Sequence, residues 1–168
     1  MPRNLEVKIA LDNFETVLKR LNELGAEKVA VLKQKDIYYE HGQGLLKLRV
    51  MPERSELIFY NRNESEGERW SDYHVLEIDK SQDAESFYAE IFKPIATVEK
   101  MRTLYLYDNT RIHLDEVKGL GKFLELETIV ISTLEDAQRR FNFLVEKLGL
   151  DLSKQIKKSY KNLTEELR

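Results

Sequence analysis

Stretches with a hydrophobic period of 3.6 residues alternate along the chain with stretches of period two. The longer period predicts three helices, within Phe14–Leu24, Ala84–Phe92 and Ser132–Leu148, and a shorter one around Ser159–Leu167. Asp12 or Asn13 can cap the first of these helices. The helices are few, and long segments of a different pattern separate them.

The predicted helix ends carry residues that are typical of helix termini. Gly25 and Gly149 follow the first and third helices, where a left-handed backbone is favoured. Ser132 and Glu135 have the spacing of a capping box at the start of the third helix. Pro94 would stop the second helix.

Apolar and polar residues alternate in the remaining segments, which predicts β-strands. A run rich in β-branched and aromatic residues adds another strand over Lys28–Tyr39. The alternating segments are Leu5–Ile9, Leu46–Val50, Leu57–Arg62, Tyr73–Asp79, Val98–Leu106, Arg111–Glu116 and Lys122–Ile131. About eight strands that often follow one another directly indicate an α+β protein with a mainly antiparallel sheet and helices to one side.

Composition narrows the classes of protein that fit. The chain has 168 residues, no cysteine and a formal net charge of −3. Without cysteine there is no disulfide, thiolate metal site or catalytic thiol, and the charge gives no reason to expect nucleic acid or membrane binding. No Gly/Ser-rich linker or repeat appears, so we expect a single domain over residues 1–168. The absence of a signal peptide and of a long apolar run indicates a soluble, cytoplasmic protein.

The polar faces of the predicted strands are charged with unusual consistency. Side chains two apart share one face of a strand, which groups Glu6 with Lys8, Lys47 with Arg49, Lys100 with Arg102, Arg111 with His113 and Asp115, and Glu125 with Glu127. Such faces fit a solvated sheet with exposed ion pairs. They also fit a sheet closed into a barrel, whose lumen would have to hold water, ions and a charged ligand.

The charged residues sort into two chemical kinds. The carboxylates, which suit Mg²⁺ or Mn²⁺, are Glu6, Asp115, Glu125 and Glu127. The cations, which suit a polyanion, are Lys8, Lys47, Arg49, Arg62, Lys100, Arg102 and Arg111. Carboxylates for a divalent metal beside cations for phosphate are what phosphoryl chemistry requires.

Several other residues are interpreted as structural rather than functional. His113 is interpreted as a lumen or structural histidine ahead of a general base. His41 and His74 lack metal-ligand spacing with it, so no zinc site is expected. The basic segment 154–161 is expected to solvate the tail, with closure of one tunnel mouth as the alternative.

These residues in this order resemble the CYTH superfamily, the triphosphate tunnel metalloenzymes. The resemblance rests on Glu6-x-Lys8, Tyr38, Lys47-x-Arg49, Arg62, Lys100-x-Arg102, Arg111 and Asp115, and on the segment LDEVKGLGKFLELE over Leu114–Glu127. It implies an eight-stranded antiparallel β-barrel, or tunnel, with flanking helices that binds a triphosphate with Mg²⁺ or Mn²⁺. The segments RNLEVK, QKDIYY, LIFYNR, WSDY and IHLDEVKGLG are most similar to the class IV adenylate cyclase-like branch.

The resemblance also implies roles for individual residues. It assigns Glu6, Glu125, Glu127 and Asp115 to metal binding, and Glu6, Lys8 and Asp115 to catalysis. It assigns substrate binding to Lys8, Lys47, Arg49, Arg62, Lys100, Arg102 and Arg111.

The function that this implies first is conversion of ATP to cyclic AMP and pyrophosphate. Hydrolysis of inorganic triphosphate, a nucleoside triphosphate or thiamine triphosphate is the alternative, and a catalytically silent nucleotide or polyphosphate binder is a third. A homodimer is a family-level expectation. One position departs from the family pattern, because Asn4 stands where the opening motif commonly has a first glutamate. That substitution removes a negative charge from the metal site.

Overall fold

The computed structural model describes residues 3–62, 69–80 and 82–167, without the side chains of Arg62 and Arg69. Within these residues the strands are β1 (Arg3–Leu11), β2 (Glu27–Tyr39), β3 (Leu45–Val50), β4 (Arg54–Arg62), β5 (Arg69–Asp79), β6 (Pro94–Tyr107), β7 (Thr110–Val117) and β8 (Gly121–Ile129). The helices are α1 (Glu15–Leu24), α2 (Ala84–Ile91), α3 (Leu134–Leu148) and α4 (Tyr160–Glu166), with a 3₁₀ turn at Leu152–Lys154.

The eight strands close into one ring in the order β1-β5-β4-β3-β2-β6-β7-β8, and β8 pairs back with β1. Every neighbouring pair is antiparallel. The predicted closed antiparallel sheet is therefore confirmed. Because the ring closes, the alternating strands have an inner face and an outer face rather than a buried and a solvated one.

Much of the apolar core lies outside the ring, between the strands and the helices. Leu5 and Val7 of β1 are fully buried against α1 and α3, where they meet Leu21 and Leu144. A second apolar cluster lies between β2, β3 and α2. Since neighbouring side chains on a strand point to opposite faces, packing Leu5 and Val7 outwards turns Glu6 and Lys8 into the lumen.

The helix termini mostly follow the sequence. Gly25 and Gly149 adopt left-handed backbone angles after α1 and α3. The N-cap residue of α1 is Phe14 and not the predicted Asp12 or Asn13, although the side chain of Asn13 accepts a hydrogen bond from the Glu15 amide at 3.0 Å. The predicted Ser132 capping box is wrong by one residue. The cap of α3 is Thr133, whose extended backbone lets its hydroxyl accept from the Asp136 amide at 3.1 Å.

The chain after α3 returns to one end of the tunnel. The Ile156 amide donates to the Lys8 carbonyl at 2.8 Å, and Gln155 forms an isolated bridge with Ile9. Tyr160, at the start of α4, packs among Val98, Val117 and Phe123. The tail thus closes one mouth, which was the alternative interpretation of the basic segment. No helix in the described part of the chain is both long enough and apolar enough to cross a bilayer.

Candidate active site inside the tunnel

The inner faces of the strands enclose a cavity of about 360 Å³. Of the residues predicted for the site, those that line it are Glu6, Lys8, Lys47, Arg49, Lys100, Arg102, Arg111, Glu125 and Glu127. A larger depression of about 930 Å³ shares Gln34, Met51 and Lys100 with this cavity, but Lys100 is the one predicted site residue on its lining. The inner cavity is therefore the candidate site.

One side of the cavity is a cationic cluster built around Asp36, a fully buried residue of β2. Lys47 and Lys100 each place Nζ near Asp36 Oδ2, at 3.1 and 3.0 Å. Arg49 donates to both carboxylate oxygens, from Nε and Nη2, at 2.9 Å each. When both lysines are protonated, three cations share one carboxylate. The cluster keeps an excess of positive charge while each cation is held in place.

Burial sets the protonation of this cluster. Burial lowers the pKa of Lys100 to about 7 and that of Lys47 to about 8, although Asp36 acts in the opposite direction. For Asp36 itself burial would raise the pKa, but Arg49, Lys100 and Lys47 together hold it well below its usual range. The carboxylate is therefore ionised at neutral pH, and an approaching anion would favour the protonated form of each lysine.

The floor of the tunnel is formed by Arg102, Asp115 and Tyr160. Arg102 donates to both oxygens of Asp115 at 2.7 Å, and the Tyr160 hydroxyl donates to Asp115 Oδ2 at 2.8 Å. Burial would raise the pKa of Asp115, but Arg102 lowers it below its ordinary value. Asp115 has no exposed surface and does not line the cavity. It connects Arg102 to the C-terminal tail.

The side of the cavity formed by β7 and β8 gathers Glu125, Glu127 and His113. Arg111 donates to Glu127 Oε2 from Nε and Nη2, at 3.0 and 2.8 Å. The other oxygen, Glu127 Oε1, lies 3.8 Å from His113 Nδ1, and Glu125 Oε2 lies 3.9 Å from the same nitrogen. One ligand atom from each of the three residues lies within 4.8 Å of the others.

Both carboxylates in this group are ionised. Burial would raise the pKa of Glu127, but His113 and Arg111 lower it to about 2. Burial would also raise the pKa of Glu125, but nearby positive charges, of which Lys8 has the largest effect, hold it well below its usual range. Ionised carboxylate oxygens are the ligands that Mg²⁺ and Mn²⁺ prefer. The residues present therefore fit a divalent cation.

Glu6 and Lys8 lie on β1 beside this group. Glu6 is opposite Glu127 and Lys8 opposite Glu125 in the β1–β8 register. Glu6 accepts a hydrogen bond from the Ser71 hydroxyl at 2.8 Å. Lys8 donates from Nζ to the Lys158 carbonyl at 3.0 Å, and the same atom lies 4.0 Å from the centre of the Tyr160 ring. Lys8 is thus oriented by the tail.

The structure brings the predicted residues together with two exceptions. Asp115 lies behind the cavity, and the side chain of Arg62 falls outside the described residues. Sequence reasoning did not single out Asp36, the anion that organises the cations, or Tyr160, which closes the floor. The one sequence signal for Asp36 is its position two residues before Tyr38, which places both side chains on the same face of β2.

Comparison with known proteins agrees with the fold. The family model of the CYTH domain matches residues 2–160. A protein of Methanocaldococcus jannaschii that is named as a candidate adenylate cyclase is 26% identical over 170 residues, covering 95% of this chain and 97% of its own.

Two solved structures are similar in shape. A Pyrococcus horikoshii protein superimposes with a TM-score of 0.80 at 26% identity, covering 95% of this chain and 98% of its own. A Hippeastrum protein described as a candidate adenylyl cyclase with a dominant triphosphatase activity has a TM-score of 0.59 at 17% identity, covering 86% and 87%. At that identity the Hippeastrum likeness shows the fold alone.

Proposed function

Because this chain belongs to the CYTH family, which is metal-dependent and binds triphosphate substrates, we propose that it converts ATP to cyclic AMP and pyrophosphate. The observation that carries the proposal is the pairing of two opposite charge clusters in one cavity. The cations around Asp36 face the same lumen as the ionised Glu125 and Glu127. A triphosphate with its divalent cation needs both.

The cationic side would hold the phosphate chain. Lys47, Arg49 and Lys100 are already fixed on Asp36, and Arg102 is fixed on Asp115. Donors that are oriented before the substrate arrives lose little free energy in reorganising, and they stabilise charge that develops on leaving pyrophosphate.

The acidic side would hold Mg²⁺ or Mn²⁺ through Glu125 and Glu127, with Glu6 beside them. A divalent cation bound there would offset phosphate charge and orient the reacting oxygens. In the cyclisation, the ribose 3′ hydroxyl gives its proton to water or to a lumen carboxylate, and its oxygen bonds to the α-phosphorus. The bond from that phosphorus to the α–β bridging oxygen breaks, and that oxygen leaves with pyrophosphate. Glu6 and Lys8 line the cavity and are the candidate catalytic residues. Asp115 is instead a positioning residue, since Arg102 and Tyr160 occupy its carboxylate.

The open end of the tunnel supports a nucleotide rather than bare triphosphate. Lys8 and Tyr160, at the closed end, are 1% and 3% exposed, whereas Val75 is 47% exposed. Leu32, Met51 and Leu104, all half-buried, line the same cavity with Val75. These apolar side chains can pack against a nucleobase, a group that inorganic triphosphate lacks.

Triphosphate hydrolysis is the second candidate. The description of the Hippeastrum protein attributes a dominant triphosphatase activity to that protein, and the same charge clusters would hold a triphosphate for attack by water at a terminal phosphorus. The curated relative named as a candidate adenylate cyclase, which matches nearly the whole chain, favours the cyclase.

Product analysis tests the proposal. The protein is incubated with Mn²⁺ or Mg²⁺ and either ATP or inorganic triphosphate, and the products are resolved by chromatography. Cyclic AMP with equimolar pyrophosphate is the expected result. Orthophosphate without cyclic AMP would replace the cyclase by a hydrolase, and binding of ATP without turnover would make the protein a silent binder. A Glu125→Gln/Glu127→Gln double variant controls for contaminating enzymes.

A further inference from the structure

We propose that His113 is a direct ligand of the divalent cation, through Nδ1, together with Glu125 and Glu127. The site would then contain one nitrogen and two carboxylates instead of oxygen ligands alone. This inference rests on the proposed function for the role of the cation, but it concerns the identity of the ligand atoms. The sequence interpretation treated His113 as a lumen or structural residue.

The state of the imidazole is the first observation. His113 is 3% exposed, and its Nδ1 atom is buried without a hydrogen-bond partner among the described residues. Buried polar atoms in folded proteins are nearly always hydrogen-bonded. An unpartnered nitrogen that faces two carboxylates is accounted for if a cation lies between them. The imidazole would then be neutral, as a metal ligand must be, and the cation would supply the positive charge that faces the carboxylates.

The distances are the second observation. Nδ1 is 3.9 Å from Glu125 Oε2 and 3.8 Å from Glu127 Oε1, longer than a hydrogen bond of about 2.7–3.2 Å. Two atoms bound to one ion at about 2.0–2.2 Å can lie as far as about 4.4 Å apart. The gaps are therefore too wide for direct hydrogen bonds and short enough for two atoms to bind a shared ion.

The surroundings leave these atoms available. Arg111 occupies Glu127 Oε2 and leaves Oε1 towards His113. Glu125 turns Oε1 towards Arg102, at 3.6 Å, and Oε2 towards His113. The β7–β8 register places His113 directly opposite Glu125, so strand pairing itself holds the nitrogen beside the carboxylates.

A nitrogen ligand changes which metals the site prefers. Imidazole suits the later transition metals, whereas carboxylate, carbonyl and water oxygens suit Mg²⁺ and Mn²⁺. We therefore expect tighter binding of Co²⁺ or Ni²⁺ relative to Mg²⁺ than an all-oxygen site would give. His113→Asn places an amide oxygen near the position of Nδ1 and should move the preference back towards Mg²⁺.

Pulsed electron paramagnetic resonance of Mn²⁺ bound to the full chain, without nucleotide, tests the ligand directly. The wild-type protein should show coupling of Mn²⁺ to an imidazole ¹⁴N, and His113→Asn and His113→Gln should lose it. His74→Asn, which changes an exposed histidine, is the matched control and should keep the coupling. The wild-type spectrum needs no variant, so a poorly folding His113 variant does not remove the test.

Calorimetric titration provides the second readout. The ratio of the dissociation constants for Mg²⁺ and Co²⁺ should fall by roughly tenfold or more in His113→Asn, since loss of a partner that only orients a metal ligand already costs about 10–100-fold in affinity. Absence of ¹⁴N coupling in the wild type, or an unchanged ratio in the variant, would overturn the inference. Coupling of Mn²⁺ to ¹⁴N without ATP turnover would keep the inference and reject the proposed function. ATP turnover without this coupling would reject the inference and keep the proposed function.

Discussion

The two charged sides of the lumen differ in how fully their charged and polar groups are paired in the protein without a ligand. Around Asp36 the cations are held by the carboxylate of the protein itself at 2.9–3.1 Å. Around Glu125 and Glu127 the closest approaches to His113 are 3.8 and 3.9 Å, and its nitrogen has no hydrogen-bond partner among the described residues. Folding alone pairs the cations around Asp36. On the acidic side it pairs Glu127 with Arg111 but, among the described residues, leaves unpaired His113 Nδ1, the atom at which we propose that a cation binds.

Substitutions on the two sides of the lumen should therefore have different consequences. A substitution on the cationic side breaks a network that is already formed, so it should reduce the stability of the free protein. A substitution on the acidic side should also cost stability, because the lowered pKa values of Glu125 and Glu127 mean that the folded protein favours their ionised forms. Unlike a change around Asp36, it also removes the proposed metal ligands.

The largest expected effect follows from removing the central anion. Asp36→Asn leaves Lys47, Arg49 and Lys100 buried without a counter-charge, and removing one partner of a buried ion pair costs about 3–5 kcal/mol. We expect the free energy of unfolding, measured by urea titration, to fall by about this amount. Asp72→Asn, which breaks the exposed Arg3–Asp72 pair, should change it by only about 0–1 kcal/mol. Equal losses in the two variants would contradict the distinction.

The second effect concerns the acidic side. Glu125→Gln/Glu127→Gln removes two ionised metal ligands while preserving their size, so metal-dependent turnover should fall by roughly 100-fold or more. The variant should also lose stability, because Arg111 and Lys8 lose the carboxylates that face them. Turnover is therefore measured at a temperature below its cooperative unfolding transition. Glu116→Gln, on the outer face of β7, is the control and should leave turnover unchanged. Full activity in the double variant would reject the metal assignment.

A smaller effect should appear in the pH dependence of triphosphate binding. Lys100 and Lys47 have pKa values of about 7 and about 8 in the free protein, and a bound polyanion favours their protonated forms. Affinity should therefore fall as the pH rises above 7, and binding near pH 8 should take up protons. Calorimetry in buffers of different ionisation enthalpy measures this uptake. Lys100→Met should remove the step near pH 7, and a pH-independent affinity would contradict the cationic side of the account.

The same lysines act in the opposite direction on the stability of the free protein. In the unfolded chain both keep their ordinary pKa near 10.5, so between pH 7 and 10.5 the unfolded state binds more protons than the folded state. Stability contributed by this pair therefore rises with pH over that interval, while triphosphate affinity declines.

Much of the lumen could be predicted because a strand has a strict period of two. Once Leu5 and Val7 pack outwards, Glu6 and Lys8 must point inwards, and the same logic places Lys47, Arg49, Lys100 and Arg102. Asp36 escaped because β2 carries charge on both faces, with Lys35 outside and Asp36 inside, so alternation alone does not single it out. Its role depends on its register with Arg49 and on the closure of the ring.

The contribution of the tail could not be predicted for a different reason. Tyr160 reaches Asp115 only because the segment after α3 pairs with β1 and docks α4 over one mouth. That contact joins residues 45 positions apart, and nothing in the local pattern of α4 specifies its target. The capping residue of α3 could not be predicted to the residue for a related reason. Ser132 and Thr133 are chemically similar, and the backbone angles of the folded chain select Thr133.

The central claim is that the two sides of the lumen hold one metal–triphosphate together. It is tested most directly by calorimetric titration of an ATP analogue with a methylene group between its α- and β-phosphates, with and without Mn²⁺. In the wild-type protein Mn²⁺ should raise the affinity by roughly tenfold or more, about 1.4 kcal/mol, and Glu125→Gln/Glu127→Gln should abolish the gain. The same affinity with and without Mn²⁺ in the wild type would contradict the account.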